Sequence, residues 1–439
     1  MSHWKSHVLE LMAVTSGSSS RTDQRRDEQR DMSMTDEPVE RDPTMKEAEA
    51  HNNLGATHYT QGRLEEAIAE YEQALKLSPN FALAHYNLGL AYHLQGKLEE
   101  AVSKYQESLR IEPTSAAAHN NLGRAYVDQG RLEEAMEEYA QALKINPTLV
   151  EPRNNLLNAF QMKLAKATAN YREALRTESE DAEAHYRLGA AYHLQGNLPE
   201  AIVEYREALR INPNNDDVHN NLGAIYATQG RIAEAIREFM EALRINPKLA
   251  EAHCGLGSSY LDQGKIREAI GEFKEAIHIN PEAVEGHFNL ANAYRIQGES
   301  SDAIAEYKEA LRIDPHLSKA RANLGLAYYG EGKLAEAISE YKEAMRIDPN
   351  NALVHSNLGT VYYDQRRFDE AIAEYRQSLG INPNLPDAHY NLGLVYQAQD
   401  KLKEAIECFQ TFLRVVPTGT YPREVKQTEE TIRELRQVM

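Results

Sequence analysis

The sequence has 439 residues, of which 42% are hydrophobic, and carries a formal net charge of −19. It contains no apolar run of about 18 residues, so the sequence predicts no membrane-spanning helix. Its acidity argues against nonspecific nucleic-acid binding, which needs a basic surface to neutralise phosphates. The two cysteines, Cys254 and Cys408, lie in distant segments. No disulfide framework is therefore predicted, and a reducing, cytoplasmic location is expected.

The first 47 residues are polar and rich in Ser, Asp and Arg, as in SSSRTDQRRDEQRDMSMTDEP. They show no sustained hydrophobic period, so residues 1–47 are predicted to form a disordered tail. The mixed-charge run over residues 21–31 leaves a docking role open, although a solvated tail is the simpler interpretation.

A unit of 34 residues then recurs eleven times between residues 48 and 419. Its positions are numbered 1 to 34 below. Position 7 is Leu, position 20 is Ala and position 24 is aromatic in every copy, while position 8 is usually Gly and position 32 usually Pro. The copies are 48–81, 82–115, 116–149, 150–181, 182–215, 216–249, 250–283, 284–317, 318–351, 352–385 and 386–419.

Each copy predicts a helical hairpin. Apolar or small residues at positions 3, 7, 10, 11 and 14 indicate a first helix, a Gln-Gly pair marks the turn, and a second helix runs over about positions 16–30. Gly at position 8 and Ala at position 20 allow the two helices to approach closely, and Pro at position 32 ends the second helix. Since one hairpin cannot bury its apolar face alone, neighbouring hairpins must stack, and the fold is predicted to be all-α.

At these residues the chain resembles the tetratricopeptide repeat family. The resemblance implies a right-handed α-solenoid superhelix, with the first helix of each pair lining a concave groove. Segments such as PNFALAHYNLGLAYHLQGKLEEAV look most like the repeat superhelix of O-linked N-acetylglucosamine transferases, whose transferase domain has no counterpart here.

Two segments depart from the regular unit. The copy at 150–181 lacks two residues and the glycine at its turn, and has Leu157 in place of Gly and Ser179 in place of Pro. It is interpreted either as a hinge or as a tolerated turn variant. Residues 420–439 are predicted to contain a capping helix over 423–438, which covers the last hairpin, with a partner-binding role as the weaker alternative.

Candidate binding residues lie on a stripe of the first helix formed by positions 2, 6, 9 and 13, opposite the packed positions. Position 6 is usually Asn, whose amide both donates and accepts, so a ladder of such amides suits the backbone of an extended peptide. The resemblance supports this, because an asparagine ladder holds peptide backbone in those transferases. The alternative is that these amides only bridge helices or meet water. The ladder consists of Asn53, Asn87, Asn121, Asn155, Asn221, Asn289, Asn323, Asn357 and Asn391.

Position 2 is acidic in five consecutive copies, which favours Lys or Arg in a ligand. Acidic residues are also ordinary in the first turn of a helix, where they complement the helix dipole. The five residues are Glu151, Glu183, Asp217, Glu251 and Glu285.

No catalytic motif is found, and the chain is predicted not to be an enzyme. Position 4 is often His, but each copy supplies only one at this position, and stacked helices lie about 8–10 Å apart. These histidines are therefore interpreted as packing residues, and no metal or cofactor is predicted. The predicted function is a scaffold or adaptor for a protein or extended peptide, with a basic partner favoured by the acidic residues at position 2. The alternative is the substrate-recruiting arm of a separately encoded or lost glycosyltransferase.

Overall fold

The computed structural model describes residues 43–417 and 419–438, within which the chain forms 22 α-helices. In chain order these are α1 (Pro43–Thr60), α2 (Leu64–Leu77), α3 (Ala82–Leu94), α4 (Leu98–Ile111), α5 (Ala116–Asp128), α6 (Leu132–Ile145), α7 (Val150–Thr177), α8 (Ala182–Leu194), α9 (Leu198–Ile211), α10 (Asp216–Thr228), α11 (Ile232–Ile245), α12 (Ala250–Asp262), α13 (Ile266–Ile279), α14 (Val284–Gln297), α15 (Ser300–Ile313), α16 (Ser318–Gly330), α17 (Leu334–Ile347), α18 (Ala352–Asp364), α19 (Phe368–Ile381), α20 (Pro386–Ala398), α21 (Leu402–Val415) and α22 (Pro422–Val438).

The chain divides into two compact units. Unit 1 ends at Ile211 and contains α1 to α9, and unit 2 begins at Asn212 and contains α10 to α22. Each unit is a stack of antiparallel helical hairpins in which every helix packs against its neighbours in the chain. The predicted all-α repeat fold is thereby confirmed.

The turn inside each hairpin depends on one residue with a left-handed backbone. Gly96 has φ 74°, which lets the amide of Lys97 donate to the carbonyl of Tyr92 at 3.0 Å and closes the end of α3. In two later hairpins Arg366 and Asp400 occupy this place with φ 58° and 59°. The turn therefore forms without glycine, at the cost of some backbone strain.

The contact between the two helices of a hairpin explains the glycine at position 8. A Cβ atom on Gly89 would lie 2.8 Å from two carbons of the Tyr105 ring, closer than carbon atoms can approach. Tyr105 and Ala101 are both 0% exposed, so the ring is enclosed and cannot move away from an added Cβ atom. In this hairpin the aromatic ring at position 24 therefore packs directly on the backbone of a glycine on the facing helix, and Ala at position 20 keeps the two backbones close.

The segment 150–181 corrects the expectation of eleven hairpins. It has no turn, because α7 continues without a break from Val150 to Thr177 over 28 residues. Leu164 and Thr168 are buried in its middle, and the Thr168 hydroxyl donates to the Leu164 carbonyl at 2.8 Å. Residues 153–177 contain neither Gly nor Pro and include several Leu, Lys and Ala residues, which favour helix, so nothing interrupts the hydrogen-bond ladder there.

Both ends of the described chain are helical. Helix α1 begins at Pro43, so residues 43–47 are not disordered as predicted, since a proline is well placed to start a helix. The remaining part of the predicted tail, residues 1–42, lies outside the described residues. At the other end, α22 packs on α21 and buries Thr428, Ile432 and Leu435, with Val425 half-buried.

Candidate peptide-binding face

The first helices of the hairpins form one side of each unit. Successive first helices contact one another directly, whereas a second helix reaches the next hairpin through its first helix. Side chains confirm this proximity, since His93 Nε2 lies 2.7 Å from Asp128 Oδ2 and the Tyr329 hydroxyl donates to Asp364 at 2.7 Å. In a curved stack, the elements that crowd together lie on the inner side. We call positions 2, 6, 9 and 13 of these helices the inner face.

In unit 1 the asparagines at position 6 are used to join neighbouring first helices. In three of them the side-chain Nδ2 donates to the residue at position 5 of the preceding first helix. The bonds join Asn87 to Asn52 (2.9 Å), Asn121 to the Tyr86 hydroxyl (2.9 Å) and Asn155 to Asn120 (3.0 Å). Asn52 and Asn120 are buried, so these contacts also satisfy buried acceptors. Asn53, on the first helix, is exposed.

In unit 2 the same position is mostly open. Asn323 donates to Asn292 at 2.9 Å, but the half-buried amides of Asn289, Asn357 and Asn391 make no hydrogen bond to another described residue. Asn221 is also half-buried. The residues that precede Asn289 and Asn357 at position 5 are Cys254 and Ala322. Neither residue offers the kind of acceptor that Asn and Tyr provide in unit 1. The side-chain N–H groups of Asn289 and Asn357 therefore remain available to a ligand.

The ladder is interrupted at Arg187 and Gly255, for two different reasons. Arg187 forms an ion pair with Glu183 at 2.6 Å on the same helix. At Gly255 a Cβ atom would lie 2.4 Å from Cζ of Phe239, a buried ring of the preceding hairpin. The ring therefore excludes any side chain at position 6 of this helix.

The five acidic residues at position 2 are all exposed, but their surroundings differ between the units. In unit 1 Glu151 lies 3.9 Å from Arg124, and Glu183 is held by Arg187. In unit 2 Glu251 and Glu285 have no ion pair within 4.0 Å among the described residues, and Asp217 lies on the same face. Burial raises the pKa of the Cys254 thiol to about 12, and the charges of Glu285 and Glu251 add to that shift. The negative charges of both carboxylates are therefore felt at Cys254 on α12.

The inner face also carries apolar side chains that sequence reasoning did not single out as contacts. Leu83 and Leu94 in unit 1 are 50% and 63% exposed, and Ile296 and Leu353 in unit 2 are 53% and 59% exposed. The signal was available in the sequence, since apolar residues at positions 2 and 13 lie outside the packed set. They make the face suitable for apolar as well as basic side chains of a ligand.

The described part of the chain holds neither a metal-binding cluster nor a membrane-spanning helix. No three His, Cys, Asp or Glu side chains lie close enough there to hold a metal ion. Nor does any of the helices over residues 43–438 combine the length and apolarity needed to cross a membrane.

The stacked hairpins and their repeated Gly–aromatic contact define a helical-repeat protein. Family models agree with this class along most of the chain. A model described as TPR repeat matches residues 58–96, 89–130, 123–163, 161–196, 191–230, 223–264, 325–366 and 360–400, and two described as Tetratricopeptide repeat match 254–318 and 386–417. The chain belongs to the tetratricopeptide repeat family. Repeats of this family serve as protein-interaction scaffolds.

A comparison with curated protein sequences gives no match. Among solved structures, the chain is similar to the Cut9-Hcn1 hetero-tetramer of the APC/C, at 15% identity and a TM-score of 0.48 over 88% of this chain and 96% of that one. It is similar to yeast Tom70 at 15% identity and a TM-score of 0.42, over 89% and 96% of the two chains. YrrB, described as a TPR protein with an unusual peptide-binding site, shares 21% identity over 42% of this chain and 95% of its own, with a TM-score of 0.37. Likeness at this level does not specify a partner.

Proposed function

We propose that this protein is a scaffold that holds an extended polypeptide segment along the inner face of unit 2. The observation that carries the proposal is the contrast between the units. The amides of Asn289, Asn357 and Asn391 have no partner among the described residues, whereas those of Asn87, Asn121 and Asn155 are already bonded. A polar side chain on a binding face contributes most when it does not have to give up an existing bond.

The spacing of the open amides fits an extended backbone. Stacked helices lie about 8–10 Å apart, and an extended chain advances about 3.3 Å per residue. Asn357 and Asn391, on adjacent hairpins, would therefore meet ligand residues about three apart, and Asn289 and Asn357, two hairpins apart, would meet residues about six apart. The Nδ2 of each amide donates to a peptide carbonyl and its Oδ1 accepts from a peptide N–H, which recognises backbone without reading the side chains.

Charge gives the ligand a preferred composition. Glu251 and Glu285 are exposed, and no cationic side chain among the described residues forms an ion pair with either. Asp262 adds a further exposed carboxylate on α12. Lys319 is the one basic residue at position 2 in unit 2. Such a surface attracts segments that contain Lys or Arg, mainly by speeding association and by rejecting acidic competitors.

A crossed pair of triple variants tests the proposal. Peptides are first selected from a random display library against the full-length chain, and we expect enrichment in Lys and Arg. Asn289→Ala, Asn357→Ala and Asn391→Ala together should weaken binding of a selected peptide by at least about tenfold, since each lost hydrogen bond contributes about 0.5–1.5 kcal/mol. Their melting temperature should stay near that of the wild type, since surface changes usually stay within about 0.5 kcal/mol. Calorimetric titration and thermal unfolding measure the two effects.

The matched control replaces Asn87, Asn121 and Asn155 with Ala. These amides join first helices in unit 1, so we expect a lower melting temperature and an unchanged affinity for the peptide. Equal loss of affinity in both triple variants, or in neither, would contradict the proposal.

A further inference from the structure

A histidine ring at position 4 is held from two sides in six hairpins. Its Nδ1 lies 2.6–2.7 Å from a carboxylate oxygen on the second helix of the same hairpin, and its Nε2 lies 3.1–3.3 Å from a backbone carbonyl in the preceding turn. The pairs are His119 with Glu138, His185 with Glu204, His219 with Glu238, His253 with Glu272, His287 with Glu306 and His355 with Glu374.

The chemistry of the two partners fixes the charge of the ring. A carboxylate and a peptide carbonyl can only accept hydrogen bonds, and a neutral imidazole carries only one N–H. Both contacts are hydrogen bonds at the same time only when both ring nitrogens carry a proton, as in the imidazolium cation. The ring then ties three pieces together, namely the preceding turn, the first helix and the second helix.

One hairpin carries a permanent cation in this place. Arg321 stands at position 4, its Nη1 donates to Glu340 at 3.1 Å, and its Nη2 donates to the Pro315 carbonyl at 3.0 Å. The guanidinium group therefore has the same two kinds of partner as the six rings. Since arginine does not lose its proton in proteins, this hairpin shows that a cation suits the position.

Two other hairpins lack the carboxylate and serve as internal controls. Nineteen residues after the histidine, where the others have Glu, they have Lys104 and Cys408. His85 Nε2 lies 2.9 Å from the Pro79 carbonyl, and its buried Nδ1 has no hydrogen-bond partner among the described residues. His389 Nε2 likewise lies 2.9 Å from the Pro383 carbonyl. A single N–H satisfies each of these rings, so neither needs a second proton.

The charged groups around the six rings come mainly from the second helix. Besides its direct carboxylate partner, His219 faces Glu241, and His185 faces Glu207. These two glutamates are themselves bonded to Arg244 and Arg210 at 2.8 and 2.7 Å. The preceding turn contributes its carbonyl, and among the described residues the preceding second helix contributes no ion pair to the rings.

Electrostatics support the same protonation in two of the rings. Burial lowers the pKa of His219, but the hydrogen bonds to Glu238 and to the Pro213 carbonyl outweigh it, so the pKa is raised. In His119 burial likewise lowers the pKa, and the bonds to Glu138 and to the Pro113 carbonyl again raise it overall.

We propose that these six histidines are imidazolium cations in the folded chain and make its stability fall as the pH rises above neutral. His119 and His219, whose pKa values are raised, hold their protons more tightly in the folded protein than in the unfolded chain. Their stabilising contribution is therefore complete below the unfolded value of about 6.5 and is lost as the pH rises through the raised folded values. Each ring that loses its proton gives up one of its two bonds.

Nuclear magnetic resonance of the full-length chain with ¹⁵N-labelled histidine tests the protonation directly. Couplings to the ring nitrogens distinguish imidazolium from both neutral tautomers, and single His→Gln variants such as His219→Gln assign the signals. During a rise in pH we expect the six rings to lose their protons later than His85 and His389. Loss at the same pH as these two controls would overturn the proposal.

Urea unfolding at about pH 6 and about pH 8.5 tests the effect on stability, since histidine titrates in this range. Joint replacement of His219 and His253 by Arg installs the cation found at position 321. We expect this variant to lose less stability between the two pH values than the wild type. His389→Arg, at a position without a carboxylate partner, should leave the loss of stability between the two pH values unchanged. An equal loss in the double variant and the wild type would contradict the proposal.

Discussion

Replacement of Tyr105 by Ala is expected to lower the free energy of unfolding by about 3–5 kcal/mol, the range for removing a large buried aromatic side chain. The ring is 0% exposed, and it fills the space beside Gly89 and between the two helices of its hairpin. Its removal leaves a cavity that the closely spaced backbones cannot close. Urea unfolding followed by far-ultraviolet circular dichroism measures the loss.

The hydroxyl group of the same ring gives a sharp control. It is buried without a hydrogen-bond partner in the described part of the chain, and burial raises the pKa of Tyr105 far above its usual value. Tyr105→Phe removes an unsatisfied polar group, so we expect a protein at least as stable as the wild type. Tyr307→Phe should instead lose about 1 kcal/mol, because that hydroxyl donates to Asn292 at 2.6 Å. Equal losses in these two Phe variants would contradict the packing described here.

Ala165→Pro should lower the free energy of unfolding by about 3 kcal/mol, the usual cost of proline inside a helix. Ala165 is exposed and lies in the middle of α7, where a regular copy of the repeat would make its turn. Proline there would remove a backbone donor and clash with the preceding turn of the helix. Unfolding in urea again provides the measurement.

Ala165→Gly is the matched control for this helix. Glycine keeps the backbone donor, so we expect a loss of only about 1 kcal/mol. If the Pro and Gly variants both changed the free energy of unfolding by the same small amount, the chain would have to turn within residues 160–166. Helix α7 would then not be continuous.

Local signals explain why most of the fold could be predicted. Gly at positions 8 and 15, the aromatic residue at position 24 and Pro at position 32 each fix a feature within one hairpin. The long helix α7 escaped prediction because the phase of the surrounding repeats suggested a shortened turn there. The residues themselves, such as QMKLAKA over 161–167, contain no helix breaker, and local propensity decided the outcome.

The candidate site was predictable as a stripe but not residue by residue. Periodicity indicated which positions of the first helix are exposed, yet it could not tell which amides were already bonded. That depends on the residue at position 5 of the previous hairpin, 35 residues earlier, such as Asn52 for Asn87 and Cys254 for Asn289. The same limit applied to the histidines, whose carboxylate partners lie 19 residues ahead on another helix.

Site-specific photo-crosslinking tests the central claim, that unit 2 binds its ligand on the inner face. A benzophenone amino acid replaces either Leu353 on the first helix α18 or Met240 on the second helix α11, which are 59% and 54% exposed. Each full-length variant is irradiated with a peptide selected against the wild type. We expect the peptide to crosslink at position 353 and not at position 240. Crosslinking at position 240 with equal or greater yield would show that the ligand binds elsewhere and would contradict the account.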